Sequence, residues 1–231
     1  MIGGGALAGL GDFAMIPGPN VKEPKGIRSI PDFMMAHQIC PDYIHEIYEY
    51  QTEVALENAK LFKQACGDKI QAIIISGTDF GTQNGPFMSL DSFREFYKPY
   101  YKKINDWVHE NTNWKTFYHT CGAITTFLQD FYEMGVDILN PVQLSAHGMD
   151  GKMLKEKWGD KFTFWGGGVD TQKTLPFGTP QEVYDEVKER LKLFNKGGGF
   201  VFNTVHNIQG QTSAENMLAM FQAIKDFNEG R

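Results

Sequence analysis

The sequence contains few cysteines, no long apolar run and no block of like charges. Its three cysteines, Cys40, Cys66 and Cys121, lie far apart, and an odd, sparse set of this kind argues against a disulfide framework. No apolar run approaches the length needed to cross a bilayer, and there is no recognisable cleavable signal. These absences predict a cytoplasmic protein in which each cysteine is a buried apolar residue, a metal ligand or a nucleophile.

The charged residues give a formal net charge of −6 and are spread along the chain without acidic or basic runs. Such a distribution offers no electrostatic footprint for nucleic acid or for an anionic membrane surface, so neither partner is expected. The chain has 231 residues, of which 42% are hydrophobic and 22% charged, as in a globular enzyme with one sizeable core. We therefore expect a single domain over residues 1–231.

Short β-rich runs alternate with helical stretches almost from end to end, which is typical of repeated βα units and a mainly parallel sheet. The pattern predicts six strands, at residues 6–13, 70–76, 115–119, 138–141, 162–165 and 199–204. Helices are predicted between them, at residues 41–65, 90–110, 124–134, 180–194 and 214–227. Residues 17–31, which are rich in Pro, Gly and Lys, are predicted to form a long loop.

Polar and glycine-rich residues follow nearly every predicted strand. In a (β/α)8 barrel all strand ends converge on one mouth that carries the active site, whereas an open doubly wound sheet concentrates function at one switch point. The distribution therefore favours the barrel. Six strands are two short of closure, so the expected fold is an α/β (β/α)8 TIM barrel that lacks about two N-terminal βα units.

His119 and Cys121 stand two residues apart at the end of a predicted strand and can project into the same mouth. Imidazole and thiolate are natural zinc ligands, although a packed cysteine beside a hydrogen-bonded histidine would give the same pattern. His206 follows the last predicted strand, where it could face this pair across the barrel mouth or orient a substrate. Three protein ligands would leave one position open, as in catalytic zinc sites.

Further polar residues at the strand ends are candidates for catalysis and substrate binding. Asp79 follows a buried-strand run and could act as an acid, a base or an outer partner of the zinc, or simply form a turn. Gln83 and Asn207 are candidate positioning groups in catalysis. The candidates for substrate binding are Tyr118, Asn140, Gln143 and Asp170.

Several segments resemble the uroporphyrinogen decarboxylase superfamily, and especially its corrinoid-linked methyltransferase branch. They include residues 79–89 (DFGTQNGPFMS), 93–99 (FREFYKP) and 118–122 (YHTCG). Residues 135–143, 178–180 and 215–216 resemble it as well. Together they cover the chain from about Asp79 to its end, while the first seventy residues match loosely.

The resemblance implies a (β/α)8 barrel and a zinc site. Methyltransferase members bind zinc through a His-x-Cys pair, which corresponds to His119 and Cys121, and through a later cysteine. That cysteine falls where this chain has His206, which can replace it as a ligand but makes the site less anionic.

The implied activity is zinc-dependent transfer of a methyl group between a small methylated substrate or a thiol and a corrinoid. The corrinoid would be free or carried by a partner protein, because nothing in the sequence resembles a cobalamin-binding domain. Asp79 would handle a proton or orient the substrate. Whether the chain forms a homo-oligomer stays open.

Two alternatives remain at this point. A metal-free decarboxylase of the same superfamily relies on an arginine- and aspartate-lined cleft near the N-terminus, and Arg28 is the only arginine before Arg94. The second alternative is a non-catalytic barrel fragment whose mouth is incomplete.

Overall fold

The structure, a computed structural model, describes residues 2–3, 6–18 and 20–231. Within these residues six strands form one parallel sheet in sequential order. They are β1 (Ile2–Gly3), β2 (Ala72–Ser76), β3 (Lys115–His119), β4 (Ile138–Asn140), β5 (Thr163–Trp165) and β6 (Phe200–Val201). Parallel strands in chain order, joined by helices, are the pattern of a (β/α)8 barrel, so the predicted fold class, a partial TIM barrel, is confirmed.

Helices occupy the connections between these strands, and one further helix follows the last strand. They are α1 (Ile30–Ile39), α2 (Pro41–Cys66), α3 (Leu90–Phe96), α4 (Lys98–Asn111), α5 (Leu128–Glu133), α6 (Gly151–Trp158), α7 (Thr174–Phe177), α8 (Pro180–Phe194) and α9 (Ala214–Asn228). In the described part of the chain, none of them combines the length and the apolarity needed to span a bilayer.

The predicted strand at residues 6–13 is wrong. The chain turns there, although the backbone N–H groups of Leu7 and Ala8 still donate to carbonyls of β2. Gly11 has a φ of +59°, and a Cβ at this position would lie 2.2 Å from the hydroxyl of Tyr48. A regular strand cannot continue through Gly11, because a positive φ lies outside the β region.

The predicted helix at residues 90–110 is two helices, α3 and α4, separated at Tyr97. Pro99 lies in the first turn of α4, and since proline has no N–H to donate, it starts a helix more readily than it continues one. Helices α1, α6 and α7 were not predicted. The first residues of α1 overlap the predicted loop, where Ser29 caps the helix by accepting from the Asp32 N–H.

Side chains of the strands alternate between two clusters, as the pleat requires. Outward residues pack under the helices in the main core, among them Ile73, Tyr118 and Phe164. Inward residues form a small cluster inside the barrel, made of Ala72, Ile74, Phe117, Ile138 and Trp165. The same alternation turns His119 and Asn140 inward, because each lies two residues beyond an inward residue of its own strand.

Candidate metal centre

Three candidate ligands come together at the carboxyl ends of the strands. The ligand atoms of His119, Cys121 and His206 all lie within 4.8 Å of one another. His119 is the last residue of β3, Cys121 follows it, and His206 lies in the connection from β6 to α9. The carboxyl ends of parallel strands share one edge of the sheet, so residues remote in sequence meet there.

The donor set fits zinc. In a tetrahedral site with Zn–N of about 2.0–2.1 Å and Zn–S of about 2.3 Å, neighbouring ligand atoms lie roughly 3.5 Å apart. The Cys121 sulfur is 3.5 Å from His119 Nε2, so this pair has the required spacing. His206 is exposed, and its ring lies in T-shaped contact with that of His119 at 6.4 Å between centroids. Its ligand nitrogen lies within 4.8 Å of the other two ligand atoms.

His119 is held by its neighbour in the sheet. The register of β3 and β4 pairs it with Asn140, whose Oδ1 lies 2.7 Å from His119 Nδ1. The amide nitrogen of Asn140 donates in turn to the carbonyl oxygen of Trp165 at 2.8 Å. Nδ1 is thereby engaged, and Nε2 is the ring nitrogen that faces Cys121.

Asp79 supports Cys121 and acts on its thiol. Its Oδ1 accepts the backbone N–H of Cys121 at 2.7 Å. Burial, followed by the charge of Asp79 and its hydrogen bond, raises the pKa of the Cys121 thiol to about 12. The thiol is therefore protonated at neutral pH, and a cation that binds the sulfur must displace that proton.

A chain of amides fixes the loop after β3. Gly122 donates its N–H to Gln143 Oε1 at 2.8 Å, and Gln143 Nε2 donates to Gln83 Oε1 at 2.9 Å. The Nε2 of Gln83 donates to the carbonyl oxygen of Ser145. Gly122 has a φ of +90°, and a Cβ there would lie 2.4 Å from the backbone of Gly81, so only glycine permits this close approach.

A cavity of about 390 Å³ opens beside Cys121 and His206. Gln83, Gln143 and Asn207 line it as well. No Lys, Arg, Asp or Glu is found among the described residues that line it. Its size suits a small molecule, and its side chains suit uncharged polar groups.

Not all of the predicted site residues reach this cavity. Tyr118 lies on the outward face of β3, where it is fully buried and its hydroxyl contacts Asn105. The carboxylate of Asp170 accepts the backbone N–H groups of Gln172 and Lys173 and so shapes a turn. Neither lines the cavity, because alternation buries the first and turn formation engages the second.

Sequence reasoning missed three polar residues of the cavity wall, namely Thr82, Thr171 and Gln209. Each lies in one of the polar segments that follow a strand, so position in the barrel was the available signal. Nothing in their spacing separated them from the other polar residues of these segments.

Comparisons with known proteins agree with this architecture. A family model described as "Uroporphyrinogen decarboxylase (URO-D)" matches residues 23–227. A curated uroporphyrinogen decarboxylase from Ruthia magnifica subsp. Calyptogena magnifica is 23% identical over 198 residues, which cover 82% of this chain and 51% of that protein. The solved structure of a methyltransferase from Methanosarcina mazei superposes with a TM-score of 0.65 at 26% identity and covers 87% of this chain and 54% of that one.

The chain spans about half the length of these relatives. The family match nevertheless extends over most of its residues. The chain therefore belongs to the uroporphyrinogen decarboxylase family.

Proposed function

We propose that this chain carries the zinc site of a methyltransferase that moves a methyl group between a small methylated substrate or a thiol and a corrinoid. The observation that carries the proposal is the convergence of His119, Cys121 and His206 beside a cavity of about 390 Å³. The likeness to a methyltransferase structure supports it. The family match supports an enzyme.

The three side chains would hold zinc as a three-ligand site with one open position. When bound, zinc would supply a Lewis acid that polarises the heteroatom of the substrate at that position. His119 and Cys121 provide the fixed part of the ligand set, because their backbone and side chains are already hydrogen-bonded to Asp79 and Asn140. His206 would be the ligand whose side chain adjusts its position when zinc binds.

Asp79 is placed to move a proton. One of its oxygens accepts the Cys121 backbone N–H at 2.7 Å, so the carboxylate is fixed beside Cys121. Since the carboxylate also contacts the thiol, it can accept the proton that the Cys121 sulfur releases.

The amide side chains position the substrate. Asn207 is exposed on the cavity wall, while Gln83 is held in place by Gln143. The corrinoid would enter as a second substrate, free or on a partner protein, from the side where Gln172 and Gln209 are exposed. Location in the cytoplasm stays a prediction.

A metal-free decarboxylase is the second candidate, and the name of the curated relative favours it. Binding of a polycarboxylate calls for arginine or lysine in the cleft. Among the described residues that line the cavity neither occurs, which weighs against this candidate. Zinc content distinguishes the two.

The test begins with metal analysis of the purified full chain. We expect about one zinc ion per chain, and its loss in the Cys121→Ala variant. Cys66→Ala is the matched control, because Cys66 is a partly buried cysteine at the end of α2 and outside the metal centre. Full zinc occupancy in Cys121→Ala would contradict the ligand assignment.

The zinc-loaded chain is then mixed with methylcobalamin and thiols, or with reduced cobalamin and methylated ethers or amines. Transfer changes the visible absorption of the cobalamin, and we expect this change with at least one pair of substrates. A zinc-loaded chain that never changes the spectrum contradicts methyl transfer. Thermal unfolding is measured in parallel to test the non-catalytic interpretation. β1 and β6 are edge strands of the described sheet, and a non-catalytic fragment with exposed edges is expected to aggregate regardless of zinc.

A further inference from the structure

Asn140 lies beside His119 on the inward face of the sheet, where the register of β3 and β4 pairs the two residues. The residue is only 8% exposed and does not line the cavity. Its amide oxygen contacts His119 Nδ1 at 2.7 Å, and its amide nitrogen contacts the carbonyl oxygen of Trp165 at 2.8 Å. Asn140 is therefore engaged by the protein at both ends of its amide and is not presented to a substrate.

The carbonyl oxygen of Trp165 determines which way this amide points. A carbonyl oxygen only accepts hydrogen bonds, so the group that faces it must be the NH2 of Asn140. The amide oxygen then faces His119, and because that oxygen also only accepts, His119 Nδ1 must carry the proton. A neutral imidazole protonated at Nδ1 has a free lone pair at Nε2.

Nε2 is the atom that lies 3.5 Å from the Cys121 sulfur. The residue after β5 helps to preserve this arrangement, because a Cβ at Gly166 would lie 3.3 Å from the amide nitrogen of Asn140 and equally close to the carbonyl oxygen of Thr204. A side chain at position 166 would thus press on the amide that orients His119. Trp165, Gly166 and Asn140 together form a backbone-anchored support for one ligand.

We infer that Asn140 is a positioning residue, which fixes the tautomer and ring orientation of His119 so that the Nε2 lone pair points toward Cys121. The consequence for zinc rests on the proposed function, whereas the tautomer is a property of the metal-free protein. Without Asn140 the proton could occupy either ring nitrogen, and the ring could turn over. Groups that hold a metal-binding histidine in this way typically contribute about 10–100-fold to metal affinity.

The first experiment determines the tautomer in the metal-free full chain. Histidine ring nitrogens are isotope-labelled, and long-range nitrogen–proton NMR correlations are recorded at about pH 8, where a free imidazole is neutral. The His119→Gln variant identifies the signals of His119. We expect the proton on Nδ1 in the wild-type chain and a mixture of tautomers in Asn140→Ala. A wild-type His119 protonated at Nε2 overturns the inference.

The second experiment measures zinc affinity by competition with a chelator. Asn140→Ala is expected to bind zinc about 10–100-fold more weakly, while Asn140→Asp, which keeps an acceptor for the Nδ1 proton but loses the donor to the Trp165 carbonyl oxygen, should lose less affinity than Asn140→Ala. Asn105→Ala is the matched control, since Asn105 is a buried asparagine that also donates to a backbone carbonyl, that of Met134 at 2.7 Å. We expect it to lose stability without losing zinc affinity.

The outcomes separate this inference from the proposed function. Wild-type zinc affinity in Asn140→Ala overturns the role of Asn140 without contradicting the zinc site. A wild-type chain that binds no zinc overturns the proposed function, and the tautomer measurement then decides on Asn140 by itself.

Discussion

The two sides of the candidate metal centre are built differently. The strand side, formed by His119, Cys121 and Asn140 at the ends of β3 and β4, is buried or half-buried and held by hydrogen bonds. The loop side, residues 202–213 between β6 and α9, presents an exposed His206 whose ring has no hydrogen-bond partner among the described residues. The difference indicates a site that is half preformed, with the loop side left to adjust when a ligand binds.

Removal of one histidine from each side tests this comparison most strongly. We expect His119→Ala to weaken zinc binding by roughly a hundred-fold or more, beyond the change typical of an outer-shell residue. His206→Ala should weaken it less, because binding through an exposed loop residue already requires ordering of that residue, which costs conformational entropy. Zinc affinity is measured by chelator competition for both variants.

His109→Ala serves as the control, because His109 is a histidine that pairs with Asp137 at 2.7 Å, away from the cavity. Its zinc affinity should equal that of the wild type. A larger loss in His206→Ala than in His119→Ala would reverse the comparison and make the loop side the principal anchor.

Zinc should also order the loop side more than the strand side. In hydrogen–deuterium exchange, we expect added zinc to slow exchange of residues 202–213 several-fold, because local opening is suppressed when His206 is tied to the metal. Residues 115–121 should change little, since the Thr120 N–H already donates to the carbonyl oxygen of Asn140 at 2.7 Å. His206→Ala should abolish the protection of the loop. Equal protection of both segments would show that the strand side is not preformed.

Much of the strand side was predictable from the sequence. Parallel strands share one carboxyl edge, so the convergence of His119 and Cys121 with a residue after β6 follows from the order of the βα units. The role of Asn140 was not predictable in the same way. The sequence indicates a polar residue at a strand end, and only the cross-strand register and the Trp165 carbonyl oxygen show that it faces His119. Zinc binding by the three ligands stays a prediction.

Errors in the prediction have specific physical causes. The supposed strand at residues 6–13 fails because Gly11 adopts a positive φ, at a position where Tyr48, far away in sequence, leaves no room for a side chain. The supposed substrate contact of Tyr118 fails because a strand residue adjacent to an inward one must point outward. That second error was avoidable, since the same alternation places His119 inward.

The charge of Asp79 should control the reactivity of Cys121 on the strand side. In the metal-free Asp79→Asn variant the pKa of the thiol falls, because the neighbouring negative charge is removed while burial remains. Below the pKa, the thiolate fraction rises about tenfold for each unit by which the pKa falls. We therefore expect several-fold faster alkylation of Cys121 at pH of about 8, followed by mass spectrometry of the peptide that contains it. Cys66 in the same chain is the internal control. An unchanged alkylation rate at Cys121 would show that the charge of Asp79 does not control the reactivity of this thiol.

The smallest effect at the metal centre is expected from Asp130, which anchors the helices behind the strand side. Its buried carboxylate accepts from Arg94 at 2.9 Å and from Lys98 at 2.7 Å. Burial alone would raise the pKa of Asp130, but the hydrogen bonds and charges of these two residues outweigh it and hold the pKa below its usual value of 3.8. We expect Asp130→Asn to lower the free energy of unfolding by about 1–3 kcal/mol at neutral pH and to leave zinc affinity unchanged.

A group with a lowered pKa in the folded state stabilises the fold above its unfolded pKa, and this contribution is lost as the pH falls through the folded value. The difference between wild type and Asp130→Asn should therefore be constant at neutral pH and shrink as the pH falls below 3.8. Urea unfolding over a series of pH values measures it. A difference that persists undiminished in acid would mean that Asp130 acts through packing and not through its charge. A loss of zinc affinity would mean that the order of the strand side depends on the helices behind it as well as on the hydrogen bonds between β3 and β4.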